Sequence, residues 1–193
     1  MTERQVFHQW VRATWAGWVL GVPFVIALAL IGEAVGIGGV QVLVGVGMGA
    51  GIGLMQGRAS RSVLHMVAPW FWSCVVGLGL PFLTWDIAKA AGWDFPYSLY
   101  VSVALGGLIV GIWQAFLLRP HIHKIGWWVA ASMVGWNLAA GTAAIADSLF
   151  RSRSLRGIWG ALASLGIIAA GGLILGLVTG GSLVWLLRQK PAG

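Results

Sequence analysis

One stretch decides the fold: G-A-G-I-G-L-M-Q-G-R-A-S-R-S-V-L-H-M-V-A-P-W, which runs from Gly49 to Trp70. Much of its pattern returns without a gap 58 residues later, between Gly107 and Trp128. The repeated positions are glycines and polar or aromatic residues, paired as Gly49 with Gly107, Gly53 with Gly111, Gln56 with Gln114, Arg61 with Arg119, His65 with His123 and Trp70 with Trp128. Repetition at a fixed spacing indicates a structural unit used more than once.

A third, partial copy lies near the end of the chain. Gly172, Gly176 and Thr179 have the same spacing as Gly107, Gly111 and Gln114. The segment W-L-L-R after them, residues 185–188, is similar to F-L-L-R at residues 116–119. We therefore predict three tandem helical hairpins, at about 15–57, 66–118 and 126–186, within a single transmembrane domain that spans residues 1–193.

The composition is that of a membrane protein. Hydrophobic residues make up 59% of the chain and charged residues only 9%, whereas about a quarter of the residues in soluble proteins are charged. Apolar runs long enough to span a bilayer occur six times, at about 15–34, 39–57, 66–85, 97–118, 126–146 and 158–186. These runs lack the alternation that a membrane barrel requires, so we predict an all-α integral membrane protein.

Basic residues predict the orientation. If both termini lie on one side, that side holds eight of the twelve arginines and lysines. Because cytoplasmic loops are enriched in these residues, we expect both termini in the cytoplasm. The segment R-S-R-S-L-R, residues 151–156, is the feature on the other side that does not follow this rule.

Small residues recur at every fourth position in the even-numbered spans. They are Gly45, Gly49, Gly53 and Gly57 in the second span, Gly107, Gly111 and Ala115 in the fourth, and Gly172, Gly176 and Gly180 in the sixth. Stripes of this kind let helix backbones approach closely in lipid. We expect the three stripes to pack, and the even-numbered spans to meet around a pseudo-threefold axis with the odd-numbered spans outside.

Three polar residues extend these stripes: Gln56, Gln114 and Thr179. Each follows its stripe glycines at helical spacing, so the three side chains should converge near the cytoplasmic end of the axis. One interpretation is that they hydrogen-bond one another as helix-packing contacts. The other is a polar constriction for an ion or a small solute.

Charged residues at the ends of the spans favour contacts with lipid headgroups over catalysis or metal binding. Arg61, His65, Arg119 and His123 lie just outside spans on the predicted cytoplasmic side, where such residues contact anionic lipid headgroups. Glu33, Asp86 and Asp147 lie at the outer ends of the odd-numbered spans, where they are solvated, cap backbone groups, or relay protons. With neither carboxylate nor cysteine partners for the histidines, we expect no metal site and no cofactor.

Most of the thirteen tryptophans are expected to form an aromatic belt. We place Trp10, Trp15 and Trp18 at headgroup level in an amphipathic lead-in to the first span, and Trp70, Trp72, Trp127 and Trp128 at the cytoplasmic starts of the third and fifth spans. Trp136, beside Asn137 in the middle of the fifth span, should instead pack inside the bundle.

A set of motifs carries a family resemblance. The four motifs are G-x-x-Q-x-x-x-x-R at Gly111 to Arg119, the Trp127-Trp128 pair, V-G-W at Val134 to Trp136, and the terminal T-G-G-S-L-V-W-L-L-R. They resemble those of small, uncharacterised, glycine- and tryptophan-rich multi-pass bacterial membrane proteins. The resemblance implies a bacterial inner membrane and attaches no activity.

These observations favour a non-catalytic integral membrane protein that acts as a packing or accessory subunit of a membrane assembly. The alternative is a small channel or carrier whose path follows the glycine-lined even-numbered helices. An enzyme is disfavoured because no nucleophile with a base, carboxylate pair or metal set falls on one face. Expected partners are the bilayer, anionic headgroups, and other membrane subunits or further copies of the chain; nucleic acid is not expected.

Overall fold

The computed structural model describes residues 2–64, 66–93, 98–120, 124–152 and 157–189. Within these ranges the chain forms six α-helices and no strand: α1 (Glu3–Ala34), α2 (Val42–Leu64), α3 (Val67–Ala90), α4 (Ser98–Leu118), α5 (Ile125–Arg151) and α6 (Gly157–Arg188). Each is long and apolar enough to cross a membrane. The predictions of an all-α fold and of six helices able to span a membrane are confirmed, as a multi-pass membrane protein requires.

Helix α1 begins much earlier than its apolar run. The Thr2 hydroxyl accepts a hydrogen bond from the Gln5 backbone N–H (3.3 Å), and the Gln5 side chain accepts one from the Thr2 backbone N–H (2.8 Å). This reciprocal pair is a capping box, which satisfies backbone donors at a helix start. The predicted lead-in is therefore continuous with the first span, and α1 continues through Pro23.

The six helices form a closed ring in chain order. Each helix packs mainly against its neighbours in sequence, and α1 also packs against α6. At the seam between these two helices, the Arg188 Nε donates to a Glu3 carboxylate oxygen at 2.6 Å. Both ends of the described chain therefore lie at one end of the ring, which we call the terminal end; the other is the opposite end.

The glycine stripes pack against odd-numbered helices, which differs from the predicted meeting of the even-numbered helices. A Cβ at Gly49 of α2 would lie 2.5 Å from the Cys74 carbonyl oxygen of α3. A Cβ at Gly107 of α4 would lie 3.0 Å from the Trp136 Cβ of α5. The bare backbone of one helix lets the backbone and bulky side chains of the next approach closely, and this close approach gains dispersion contact.

The stripe of α6 closes the ring in the same way. A Cβ at Gly176 would lie 3.1 Å from the Val11 Cα of α1, and one at Gly172 would lie 2.6 Å from the Trp18 Cβ. All ten residues that the sequence predicts to pack are buried: Gly45, Gly49, Gly53, Gly57, Gly107, Gly111, Ala115, Gly172, Gly176 and Gly180.

A second glycine contact, between α1 and α2, is absent from the sequence prediction. A Cβ at Gly51 would lie 2.5 Å from both the Gly17 carbonyl oxygen and the Gly21 nitrogen. Gly17 and Gly21 are four residues apart, which is the spacing that marks a close helix crossing. The signal was therefore present in the sequence of α1.

Candidate functional site

Three tryptophans fill the centre of the ring near its terminal end. Trp10 of α1, Trp70 of α3 and Trp128 of α5 are 3%, 0% and 1% exposed. Their ring centroids are 5.4 Å apart for Trp10 and Trp70, 6.0 Å for Trp10 and Trp128, and 5.9 Å for Trp70 and Trp128. All three pairs are edge-to-face, the arrangement that aromatic quadrupoles favour. We call these residues the tryptophan cluster.

The prediction of an aromatic belt is wrong for this cluster and for Trp18, which is also buried. Trp15, Trp72 and Trp127 are exposed, as a belt requires. The repeat distinguishes buried from exposed tryptophans here. Trp70 and Trp128, both buried, match at 58 residues, whereas the exposed Trp72 matches Ala130. Trp136 lies inside as expected, but Asn137 donates to its own helix, at the Met133 carbonyl oxygen (2.8 Å).

A layer of buried polar groups surrounds the tryptophan cluster. The Trp70 Nε1 donates to the Gln56 Oε1 at 3.1 Å, and the Gln56 Nε2 donates to the Thr14 hydroxyl at 3.0 Å. Across the ring, the Trp10 Nε1 donates to the Thr179 hydroxyl at 2.9 Å. These bonds join α2 to both α1 and α3, and α6 to α1, and they satisfy polar groups that lipid cannot.

Gln114 occupies the same layer with different partners. Its Nε2 lies 3.3 Å from both the Ser73 hydroxyl oxygen and the Cys74 sulfur of α3. The Trp128 Nε1 is buried and has no hydrogen-bond acceptor among the described residues. Within the described ranges no hydrogen bond joins Gln56, Gln114 and Thr179 to one another; each is instead bonded to an odd-numbered helix.

An apolar cavity of about 150 Å³ lies inside the ring, towards the opposite end from the tryptophan cluster. All six helices contribute to its wall. From α1 to α6 in order, they contribute among others Trp18, Met48, Leu78, Val103, Trp136 and Ile168. Its lining is almost wholly apolar, so the cavity offers a place for an apolar guest.

A shallow groove lies on the outer surface of the ring, between α5 and α6. Trp127, Ala130, Ala131 and Val134 line one side, and Val178, Gly181, Ser182 and Trp185 line the other. Each set has the i, i+3, i+4, i+7 spacing of one helix face. At its terminal end the Trp127 and Trp185 rings are 5.9 Å apart, and the Lys124 Nζ lies 5.4 Å from the Trp185 ring centroid.

The predicted acids have three different environments. The Asp86 carboxylate accepts the backbone N–H groups of Gln41 (2.8 Å) and Val42 (2.7 Å), so it caps the start of α2. Asp147 is exposed and pairs with Arg151 at 2.8 Å, one helical turn away. Glu33 is exposed at the end of α1. These placements do not bring the three acids together.

The predicted headgroup residues are described only in part. Arg61 and Arg119 are exposed where α2 and α4 end, as contact with headgroups requires. His65 and His123 lie outside the described residues. Within the described ranges, no three histidine, cysteine or acidic side chains are grouped as a metal ion would need.

Comparison with known proteins gives no relative on which to base a function. No protein-family model matches the chain, and neither the curated proteins nor the solved structures contain a match.

Proposed function

We propose that the protein is a non-catalytic accessory subunit of a membrane assembly, and that a transmembrane helix of another subunit docks in the groove between α5 and α6. The groove is the observation that carries this proposal. Ala130, Ala131, Gly181 and Ser182 form its floor, and small residues are what helix–helix contacts in lipid use. A Cβ at Gly181 would meet nothing within 4 Å, so the surface is open to a partner.

The corresponding surface of α4 supports this choice of partner site. At the 65-residue spacing that relates Gly172 to Gly107, Val178 and Gly181 correspond to Trp113 and Phe116. Those two side chains are exposed and bulky, so α4 presents a filled surface where α6 presents a groove. This difference between two corresponding helix surfaces is what a specific partner, rather than general lipid contact, would select.

We further propose that the ring is built from three copies of one hairpin related by a pseudo-threefold axis. The three stripe contacts, of α2 on α3, α4 on α5 and α6 on α1, support it, as does the tryptophan cluster at the centre. The cluster favours a spacing of 60 residues between α1 and α3, from Trp10 to Trp70, instead of the 58 that relates Gly21 to Gly79.

The bacterial inner membrane with both termini cytoplasmic remains our proposed location, on the charge distribution given above. The terminal end would then carry the basic residues that bind anionic headgroups, among them Arg61 and Arg119. Lys124 beside Trp185 fits the same level, because cationic and aromatic side chains together anchor membrane interfaces.

A channel or carrier along the even-numbered helices has weaker support. Its proposed path, the glycine stripes, is covered by odd-numbered helices. At the level of Gln56, Gln114 and Thr179 the centre of the ring is filled by the tryptophan cluster, whose members are at most 3% exposed. A conducting state would have to move these three indoles apart.

Photo-crosslinking tests the docking proposal. A benzophenone amino acid is introduced at Ala131 or at Ser182 on the two sides of the groove, and the full chain is irradiated in the membranes of its native host. We expect both positions to form an adduct with the same membrane protein. A photoprobe at Trp72, which is exposed on α3 and lies away from α5 and α6 in the ring, should not form it.

A blocking variant gives the matched control. Gly181→Trp adds bulk where the Cβ meets nothing within 4 Å, so it should leave the ring folded and abolish both adducts. An adduct with the mass of two copies would show that the docked partner is a second copy of this chain. Adducts with lipid alone, or equal adducts at Trp72, would contradict docking in the groove.

A further inference from the structure

The cavity inside the ring has a closed and an accessible side. Trp18, Leu78 and Trp136 stand on its terminal side, eight residues beyond Trp10, Trp70 and Trp128 on their helices. Its wall also includes Val44 and Leu99, in the first turns of α2 and α4, and both side chains are exposed. The space therefore extends from the middle of the ring towards the opposite end.

The chemistry of the wall excludes water as a favourable occupant. The side chains named from each of the six helices are aliphatic, aromatic or thioether. The Trp18 N–H already donates to the Ile168 carbonyl oxygen at 2.8 Å. A buried water needs two to four polar partners, so an apolar cavity of this kind stays dry.

The volume of the cavity sets the size of the guest that it can hold. A dry cavity of about 150 Å³ lined by aliphatic and aromatic side chains accepts benzene or xenon in a soluble protein, and the present cavity has the same volume and type of lining. We propose that it binds one uncharged apolar guest about the size of benzene, supplied either by the end of a lipid hydrocarbon chain or by a free small hydrocarbon. This site is independent of the groove on α5 and α6.

Saturable photolabelling tests the site. The full chain is purified in a fluorinated surfactant, which supplies no hydrocarbon chain, and is irradiated with a short alkyl diazirine. Labelling of Leu78 and Val103 in the cavity should saturate with probe concentration and fall when benzene is added. Labelling of Leu105 and Leu138, which are exposed on the outside of the ring, should rise linearly and ignore benzene. Linear labelling in the cavity, or none, would overturn the proposal.

A cavity-filling variant links the labelling to this space. Ala140 lines the cavity, so Ala140→Leu should remove saturable labelling while the protein elutes and melts as the wild type does. Ala163→Leu, on the exposed surface of α6, should keep it. If Ala140→Leu does not fold, Ala143→Leu fills the same cavity from the next turn. Saturable labelling that persists in a folded filling variant would refute the assignment.

The two sources of the guest are separated in phospholipid vesicles at an equal mole fraction of probe. Loss of saturable labelling there identifies the lipid chain as the guest, because the chain competes for the cavity. Unchanged saturation identifies a free small hydrocarbon. Either result supports the site.

Discussion

Gly49 shows how much a missing side chain matters in this ring. A Cβ there would lie 2.5 Å from the Cys74 carbonyl oxygen and 2.8 Å from its carbon, and backbone atoms cannot move aside cheaply. We predict that Gly49→Ala destabilises the protein by roughly 1–3 kcal/mol, the usual cost of overpacking. Unfolding in mild detergent, titrated with a denaturing detergent, measures it.

Gly141 is the matched control, since a Cβ there meets nothing within 4 Å. Gly141→Ala should leave stability unchanged or raise it by up to about 1 kcal/mol, because alanine is the better helix former. Equal losses from the two variants would show that α2 does not pack on α3 through Gly49.

Trp70 and Trp128 form a natural pair for measuring one hydrogen bond. Both are fully buried, but the Trp70 N–H donates to Gln56 whereas the Trp128 N–H has no acceptor in the described part of the chain. Replacement by phenylalanine removes the N–H and part of the ring in each. Trp70→Phe should therefore cost more than Trp128→Phe, by roughly 0.6–1.7 kcal/mol, in the same unfolding assay. A larger loss in Trp128→Phe would contradict the bonding described.

At this scale the sequence predicted which polar residues share one level of the bundle better than it predicted what they contact. Gln56, Gln114 and Thr179 are all buried near one level of the ring, and the repeat identified them. It did not identify their partners, because Thr14 and Trp10 lie in an α1 segment that reads as amphipathic and interfacial. Helical spacing shows which residues share a face and carries no information on what covers that face.

Among the helices, α2 depends on a cap from another element. The Asp86 carboxylate of α3 accepts the backbone N–H groups of Gln41 and Val42 where α2 begins. We predict that Asp86→Ala costs about 1 kcal/mol, as loss of a helix cap does. Amide hydrogen exchange at Gln41 and Val42 should also become faster, because both groups lose their acceptor.

Asp147 provides the comparison at another helix end. Its exposed pair with Arg151 is one turn apart, and such pairs contribute only about 0.3–0.5 kcal/mol. Asp147→Ala should leave exchange at Gln41 and Val42 unchanged. If Asp86→Ala left it unchanged as well, the cap would not form in solution.

Helix extents were the most predictable feature of the chain. Apolar length alone placed all six spans near their observed positions, because lipid requires about 20 apolar residues for a helix to cross. The ends were less accurate where polar residues continue a helix: α1 begins at Glu3 and α5 runs to Arg151. There, capping and tertiary contacts stabilise helix outside the apolar run.

For the whole molecule, the ring explains why the predicted convergence of the even-numbered helices failed. A glycine stripe requires a close neighbour, and the neighbours along the chain supplied it. The result places both odd- and even-numbered helices around the centre, with Trp10, Trp70 and Trp128 filling it. The periodicity of the even-numbered helices could not separate this arrangement from a core of even-numbered helices, since both bury the same glycines, Gln56, Gln114 and Thr179.

A filled centre predicts an impermeable protein. Vesicles reconstituted with the wild type should release a trapped ion or small solute no faster than vesicles without protein, because the tryptophan cluster closes the ring. Gln114→Leu should not change this background, because Gln114 is 2% exposed and its side chain bonds to α3. Flux through the wild type that Gln114→Leu abolishes would favour the channel alternative.

The seam between α1 and α6 has a consequence for biogenesis. The surface of α1 that bears Val11 and Trp18 packs against Gly172 and Gly176 of α6, which the ribosome makes after the other five helices. Until α6 is made the ring stays open, and this surface of α1 is exposed to the bilayer. Chains terminated before α6 should therefore be degraded by membrane quality control more readily than the full chain. A chaperone that covers α1 during synthesis would be displaced when α6 packs against it.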